Sequence, residues 1–526
     1  MRISGRNVSF VADRHLPLLF YLALSGLFLN YYRYQLDPDS ISYISIAQQY
    51  LKGDYADAIN GLWSPLISWI LVPFLAIKLS PQLAAKVVSV LVGIFVLSNI
   101  RKLLSHFKLA PSVTALYMLS FCPLIAWYAL YDGCPDLLGL GILLLYLCLI
   151  TNDAYFDSKY SGLACGLLGA AAYLSKSYNF YFFLLHFTLI NLCYLLFKCS
   201  PALPPKRVLY RYLAGMITFL AISSVWIDTL SHKYHHFTIS TAGNYNMAIN
   251  APGVRGDYPM DTDGLIAPPN ASAISSWDDP SYQHFVKWNP FGTLQDFSYL
   301  LKIAISNVVG YFYKVSSNPL YFFTIVFISI AFFTSRKRHD DKAYYLFLTT
   351  MIYPLGYYLM HIEERYLWIN NVLLYVLSAY VLSFFLQKSL LNTSQGKLIM
   401  AAVAMYMIAT PLHHLLTYTN IDKDVYVLGQ EIKGHLNLER ANVAGQADSD
   451  QGEDWRKFLS LSYYLHDRYF GIVRKDESDD DVKRDLVRNR IQYYFVDGKL
   501  KNNLDILKPE VTVKGLTIYR VLLPPA

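Results

Sequence analysis

The stretch LDPDSISYISIAQQYLKGDY, residues 36–55, carries two acids one residue apart, Asp37 and Asp39, directly after the first long apolar run. A carboxylate in such a place can accept a proton from a hydroxyl or hold a divalent metal. Asp37 also suits a helix N-cap with Pro38 at the first helical position, and Asp39 suits the positive end of that helix. Two further acids, Asp132 and Asp136, lie in YDGCPDLL between two apolar runs, where a turn and a first helical turn would also use them. Two cations stand at comparable segment ends, Lys176 in AAYLSKSYN and Arg365 in HIEERYLW. Either could snorkel to headgroups. Arg365 follows Glu363 and Glu364 and precedes Tyr366, a clustering that suits a polar pocket better. Cations of this kind can hold a phosphate and neutralise it as it departs.

The elements that must position these groups are membrane helices. The chain of 526 residues is 54% hydrophobic and only 16% charged, against about 25% charged in soluble domains. Apolar runs long enough to cross a bilayer recur from Leu16 to about Leu416. Basic residues belong on the cytoplasmic side, so Arg2, Arg6 and Arg14 place the N-terminus inside and read the first apolar run as an uncleaved helix. Spans are then expected at 16–34, 82–101, 111–130, 135–151, 161–175, 178–198, 209–229, 319–334, 343–360, 367–387 and 397–416. Every strongly basic loop falls inside, and all four site segments fall outside. PLISWILVPFLAIKL, with Pro65 and Pro73, reads as an outer surface helix, as does FSYLLKIAISNVVGYFYKV in the long outer loop 231–318. Ionisable groups so close to a bilayer are costly and are functional candidates by default.

The expected fold class is an all-α polytopic membrane bundle of about eleven transmembrane helices plus outer-face surface helices, with a small C-terminal α/β soluble domain. One boundary is drawn, at 417/418. In the tail, ANVAGQ, RYFGIV, IQYYFVDG and LTIYRVL read as strands, and DWRKFLSLSYYLHD and SDDDVKRDLVRNR as helices. A packing or lid role over the outer mouth suits it. The net charge of +7 follows from loop lysines and arginines and calls for no nucleic acid. The six cysteines lie in or beside apolar segments, with neither zinc nor disulfide spacing.

With these groups on one face, the sequence resembles the GT-C superfamily of integral-membrane glycosyltransferases, in the protein O-mannosyltransferase and aminoarabinose-transferase branch. Asp39, Tyr43 and Ala47 match the family's spacing after the first helix. LWSPLISWIL resembles its Ser-Pro-Leu surface helix, CPLIAWYALYDGCPDLLGL its second-loop acid motif, and EERYLW its Arg-Tyr motif. AAYLSKSYNFYFFL resembles its Leu-Thr-Lys-Gly motif, with Ser175 and Ser177 in place of Thr and Gly. DGLIAPPNASAISSWDDPSY is similar to segments of bacterial members. Two departures stand out. Asp39 is followed by Ser40 where the aminoarabinose branch often has Glu, and the Asp-x-Asp spelling is more like that of metal-using relatives.

The resemblance implies an inverting glycosyltransferase moving a sugar from a polyprenyl-phosphate donor to a hydroxyl on a lipid, glycan or protein acceptor. It implies a bacterial inner (plasma) membrane protein of the cell envelope with a periplasmic site. Asp39 would be the general base, with Asp37 beside it as a second catalytic candidate. Lys176 and Arg365 would bind the donor phosphate, and Asp132, Asp136, Tyr43 and Tyr366 would position the acceptor or a metal. Asp37, Asp39 and Asp136 are the residues that would hold a divalent cation, magnesium or manganese, if the chemistry uses one. His235, His236, Arg255, Asp261, Asp263 and Trp277 would build a sugar and acceptor cleft; Trp277 would stack on a sugar or simply be buried. The rival class is a multi-span transporter or flippase of a lipid-linked or polyanionic substrate. It lacks support from any inverted repeat or matched pair of broken helices. A third reading is an assembly scaffold that binds through its tail.

Overall fold

A computed structural model describes residues 5–131, 135–199, 203–254, 264–285, 287–334, 342–447, 454–474, 477–501 and 504–523. Asp132, Arg255, Asp261 and Asp263 lie outside the described residues. In chain order the helices are α1 (Gly5–Tyr32), α2 (Pro38–Lys52), a single turn at Tyr55–Ala58, α3 (Leu66–Ala76), α4 (Pro81–Ser105), α5 (Pro111–Tyr131), α6 (Asp136–Ile150), α7 (Ser161–Ser175), α8 (Tyr178–Phe197), α9 (Pro205–Tyr234), α10 (Ala242–Ile249), α11 (Leu294–Ser317), α12 (Pro319–Thr334), α13 (Lys342–Ile352), α14 (Trp368–Gln387) and α15 (Thr393–Thr417). The tail contributes α16 (Lys423–His435), β1 (Asn442–Ala447), α17 (Asp454–Leu465), β2 (Arg468–Ile472), α18 (Asp479–Arg488), β3 (Tyr493–Asp497), β4 (Leu507–Val513) and β5 (Leu516–Val521).

The fold is a polytopic helical bundle with a small C-terminal sheet, as the hydropathy pattern implies. Among the described residues, six helices are long and apolar enough to cross a membrane: α4, α5, α8, α9, Glu364–Gln387 and α15. A seventh counts if the pair α11–α12, bent by 103°, is one span. About eleven were expected. Much of the difference lies in length, because several of the other expected segments are helical but short; α1, with 28 residues, is long enough and falls short in apolarity instead. At 1.5 Å per residue, the 15 residues of α6 or of α7 rise about 22 Å, against a hydrocarbon core of about 30 Å. α13 stops at Ile352 instead of running on to residue 360. Pro354 follows, with no N–H to continue the ladder, and the chain takes two 3₁₀ turns, Tyr353–Leu355 and Tyr357–Leu359.

The chain divides into two compact units. The first comprises residues 1–30, 86–229 and 289–419 and holds most of the bundle. Its buried polar groups pair across helices, as low-dielectric surroundings demand. The Tyr146 hydroxyl lies 2.8 Å from His186 Nδ1, and His186 Nε2 lies 2.9 Å from the Thr349 hydroxyl, joining α6, α8 and α13. Asn370 Nδ2 donates to the Tyr311 hydroxyl and to the Thr350 carbonyl, each at 2.8 Å. In α7, Gly162 and Gly166 let the α9 backbone approach. A Cβ would stand 2.1 Å from the Arg211 carbonyl oxygen at the first and 2.2 Å from that of Gly215 at the second. α11 exposes Phe297, Leu301, Ile305, Val309 and Phe312. These lie three or four residues apart, the one-sided stripe of a helix with an apolar outer face.

The second unit comprises residues 31–85, 230–288 and 420–526. The tail from Asn420 packs together with residues 31–85 and 230–288. Its five-stranded sheet has the order β2-β1-β3-β5-β4, with β1 parallel to β2 and β3, and β5 antiparallel to its neighbours. Four strands were expected. The fifth, β4, is the polar LKPEVTV, whose proline is tolerated because the strand is an edge. The opposite edge is covered by the long loop. Ile266 N donates to the Phe470 carbonyl and Tyr469 N to the Ile274 carbonyl, both at 2.7 Å, so strand β2 is not left open to pair with another chain.

Candidate functional site

The acid cluster belongs to the second unit. Asp37 takes β-region backbone angles and caps α2. Its Oδ1 accepts from Ser40 N at 2.8 Å and its Oδ2 from the Ser40 hydroxyl at 2.9 Å. Pro38 occupies the first helical turn, and Gly53, at φ 86°, closes the far end. This local arrangement satisfies the free N–H groups of the helix start and sets the direction of Asp39 one residue on. Asp39 Oδ1 accepts a 3.1 Å hydrogen bond from the Trp277 indole Nε1.

Trp277 is therefore a partner of the acid as well as a buried ring, at 8% exposure. Its carbonyl accepts from Trp63 Nε1 at 2.9 Å and from the Ser42 hydroxyl at 3.2 Å. The next two residues anchor the same place. Asp278, 2% exposed, accepts from the Ser45 hydroxyl at 2.6 Å and from Ile274 N at 3.0 Å. Its carbonyl accepts from Asn60 Nδ2 at 2.6 Å. Burial pushes the Asp278 carboxyl up to about 7, against the pull of those hydrogen bonds. Asp279 accepts from the Tyr234 hydroxyl at 2.8 Å and lies 3.8 Å from Lys233 Nζ; its carboxyl too is raised by burial. Asp278 and Asp279 did not stand out as site residues in the sequence. The signal was there: two adjacent acids in WDDP, directly after the Trp277 that the sequence did single out.

Tyr43 packs edge-on to Trp63, with ring centroids 5.3 Å apart, so it braces the wall of the acid cluster. His236 Nδ1 lies 2.8 Å from the Tyr234 carbonyl. His235 adopts a left-handed φ of 60° in the turn after α9.

The cation cluster belongs to the first unit. Lys176 ends α7, and its ammonium is paired with Asp136, in the first turn of α6. The same ammonium stands 3.7 Å from the centroid of the Tyr366 ring and 5.7 Å from that of Tyr357, a cation–π arrangement. Tyr357 and Tyr366 stack at 4.8 Å, and Tyr178 stacks on Tyr357 at 3.9 Å. Arg365 Nε donates to Glu363 Oε2 at 2.6 Å, and the Tyr366 hydroxyl donates to Glu363 Oε1 at 3.1 Å. Burial works to raise the Glu363 carboxyl, but hydrogen bonds from His361 and Arg365 and the Arg365 charge outweigh it and hold it well below the usual range. Lys176, Asp136, Arg365 and Tyr366 are thus drawn together, and each cation already faces an acid. Each pairing spares the bundle a bare charge.

Two of the three acids expected to hold a cation have other partners. Both Asp37 oxygens are taken up by Ser40, and Asp136 is paired with Lys176. Among the described residues no three His, Cys, Asp or Glu side chains group as a metal set.

No protein family pattern matches the sequence, and no curated protein matches it. Its fold does match solved structures. ArnT from Cupriavidus metallidurans superposes in the apo state with a TM-score of 0.58 at 13% identity, over 99% of this chain and 100% of that one. ArnT bound to undecaprenyl phosphate gives 0.57 at 14%, over the whole of both chains. The archaeal oligosaccharyltransferase AglB from Archaeoglobus fulgidus, in complex with an inhibitory peptide and a dolichol-phosphate, gives 0.51 at 10%, over 92% of this chain and 70% of that one. The chain shares the fold of these structures, and its long apolar helices are those of an integral membrane protein.

Proposed function

We propose that this chain is an inverting glycosyltransferase that moves a sugar from a polyprenyl-phosphate donor to a hydroxyl acceptor at the outer face of the membrane. The observation that carries the reading is Asp39 held by the Trp277 indole at the start of a capped helix, within a GT-C fold. The carboxylate takes the proton of the acceptor hydroxyl as that oxygen bonds to the anomeric carbon. The carbon–oxygen bond to the phosphate breaks, and the phosphate leaves with its electron pair. A single displacement of this kind inverts the anomeric configuration. Lys176 and Arg365 hold the departing phosphate, and Asp136 and Glu363 keep the two cations in place. Asp132 helps position the acceptor. No step passes through a metal. That ArnT binds undecaprenyl phosphate and AglB a dolichol-phosphate supports a polyprenyl-phosphate carrier. The basic-loop pattern supports a site on the face opposite the cytoplasm, and the resemblance to bacterial members supports a bacterial inner membrane with that site in the periplasm.

The test is transfer from a polyprenyl-phosphate sugar by the Asp39→Asn protein in vesicles, with product identified by mass spectrometry. A general base contributes about 10²–10⁴-fold, so a loss of that size is expected. Wild-type turnover would remove Asp39 from the mechanism.

A further inference from the structure

Within the second unit, the tail grips the hydrogen-bonded pair of Asp39 and Trp277 from both sides. On the acid side, the chain entering α2 is held twice. Leu36 N donates to Asp422 Oδ2 at 3.1 Å, and the Tyr464 hydroxyl of α17 donates to the Tyr34 carbonyl at 2.5 Å. The cap of α2, Asp37, is the residue after Leu36, and Asp39 stands in the first turn that this cap begins. An anchor at Leu36 therefore sets where the helix starts and where its first carboxylate lies.

On the indole side, the outer loop is fixed along β2. Ile266 N donates to the Phe470 carbonyl and Tyr469 N to the Ile274 carbonyl, and Ser275 bridges to Tyr469 in the parallel sense. The Ser275 hydroxyl then accepts from Trp277 N at 3.2 Å, so a single short turn separates the sheet edge from the indole. The ring itself is boxed by aromatic neighbours. Trp63, Tyr245 and Trp455 stand with centroids 5.7, 5.9 and 6.2 Å from it and planes 63°, 72° and 55° from parallel, the tilted contacts that aromatic pairs prefer. Trp455 lies in the first turn of α17 and is 4% exposed. The tail thus supplies one wall of the box as well as the edge from which the loop hangs.

We infer that the tail is a positioning clamp for the Asp39–Trp277 pair, with Asp422 and Trp455 as its positioning residues. The inference rests on the transferase reading for what the pair does, and adds which part of the chain holds it. Neither residue bonds to Asp39; each acts through the stretch that carries one partner of the bond. A reacting group displaced by about 1 Å can lose about 10²-fold in rate, so a body bonded to both stretches protects the chemistry. Asp422 has a left-handed φ of 59°, which glycine and asparagine adopt readily. Asp422→Gly therefore removes the acceptor without backbone strain, and Asp422→Asn keeps an oxygen for Leu36 N.

Indole N–H NMR and transfer kinetics on the full chain in detergent test this together. With the tryptophans labelled with nitrogen-15, the Trp277 signal is the one lost in Trp277→Phe, and Asp39→Asn marks where it moves when the carboxylate is gone. Asp422→Gly should move the signal towards that position and lower kcat about fivefold, the effect of one lost hydrogen bond, with the KM for donor unchanged. Asp422→Asn should restore both. Trp455→Leu should lower kcat on the order of tenfold, and Trp455→Phe should recover most of the loss. Added to Trp277→Phe, Trp455→Leu should cost nothing further in kcat, because both act through one bond. An unmoved signal with unchanged kcat in Asp422→Gly, or losses that multiply in the double variant, overturns the clamp. Overturned in that way with sugar transfer intact, the transferase reading survives. A signal that moves in Asp422→Gly and returns in Asp422→Asn, in a parent protein that transfers no sugar from any lipid-linked donor, would instead defeat the transferase reading and leave the clamp standing.

Discussion

The Trp277 indole donates a 3.1 Å hydrogen bond to Asp39 across 238 residues of chain. It ties the long outer loop to the first turn of α2 and fixes the carboxylate that the proposed chemistry needs. Trp277→Phe keeps the buried ring and removes the donor. A hydrogen bond to a charged group is worth about 1.5–3 kcal/mol, so kcat should fall on the order of tenfold or more while the KM for donor is unchanged. An unaltered kcat would make Trp277 a packing residue only.

Arg365→Ala should act on the donor instead. With one charge-assisted contact to the phosphate removed, the apparent donor affinity should fall about 10–100-fold. Affinity is measured by titration with a polyprenyl phosphate lacking its sugar. Equal affinity in both proteins would assign Arg365 to holding Glu363 and nothing more.

Lys176→Met leaves the nearly buried Asp136 carboxylate facing an apolar chain. Removing one partner of a buried pair costs about 3–5 kcal/mol; Lys176 is partly open to solvent, which puts the expected loss at about 2–3 kcal/mol. Asp136→Asn in the same protein should restore most of it, because no uncompensated charge remains. Denaturation midpoints of the two singles and the double variant decide the matter: additive losses would show that the two side chains do not interact.

Asp278 makes a prediction about pH. Burial raises its carboxyl to about 7 in the folded chain, whereas an unfolded chain releases that proton near 3.9. Between those values the folded state binds more protons, so stability falls as pH rises from about 4 to 7. Asp278→Asn fits the neutral state. Its Oδ1 can accept from Ser45 and Ile274 N where Oδ2 does now, and its Nδ2 can donate to the Ser42 hydroxyl, 3.5 Å from the present Oδ1. The variant should melt with a flatter pH dependence over that window. An identical slope would show that Asp278 is ionised throughout.

Gly356 sits where a Cβ would meet the Tyr178 ring at 2.6 Å. That ring is pinned by its stack on Tyr357 and cannot retreat. Gly356→Ala should cost about 1–3 kcal/mol and loosen the aromatic stack that supports Tyr366 over Lys176. A melting temperature equal to that of the parent would show that the stack yields.

The amino-acid sequence by itself determined the features set by short-range physics. Hydropathy over 18 or more residues marks a span wherever it occurs, so the helical segments of the bundle could be read directly. The cap of α2 could be read because Asp37, Pro38 and Ser40 are neighbours and the N-cap hydrogen bond reaches only three residues. Tertiary structure alone decided which groups meet. Trp277 and Asp278 are bonded to residues more than two hundred positions earlier, and no local pattern encodes such a contact. Glu363 and Glu364 look alike in sequence, yet one holds Arg365 and the other lines a cavity with α5 and α15. A tight 3₁₀ turn sends successive side chains in different directions, and what each one finds there depends on how distant helices pack.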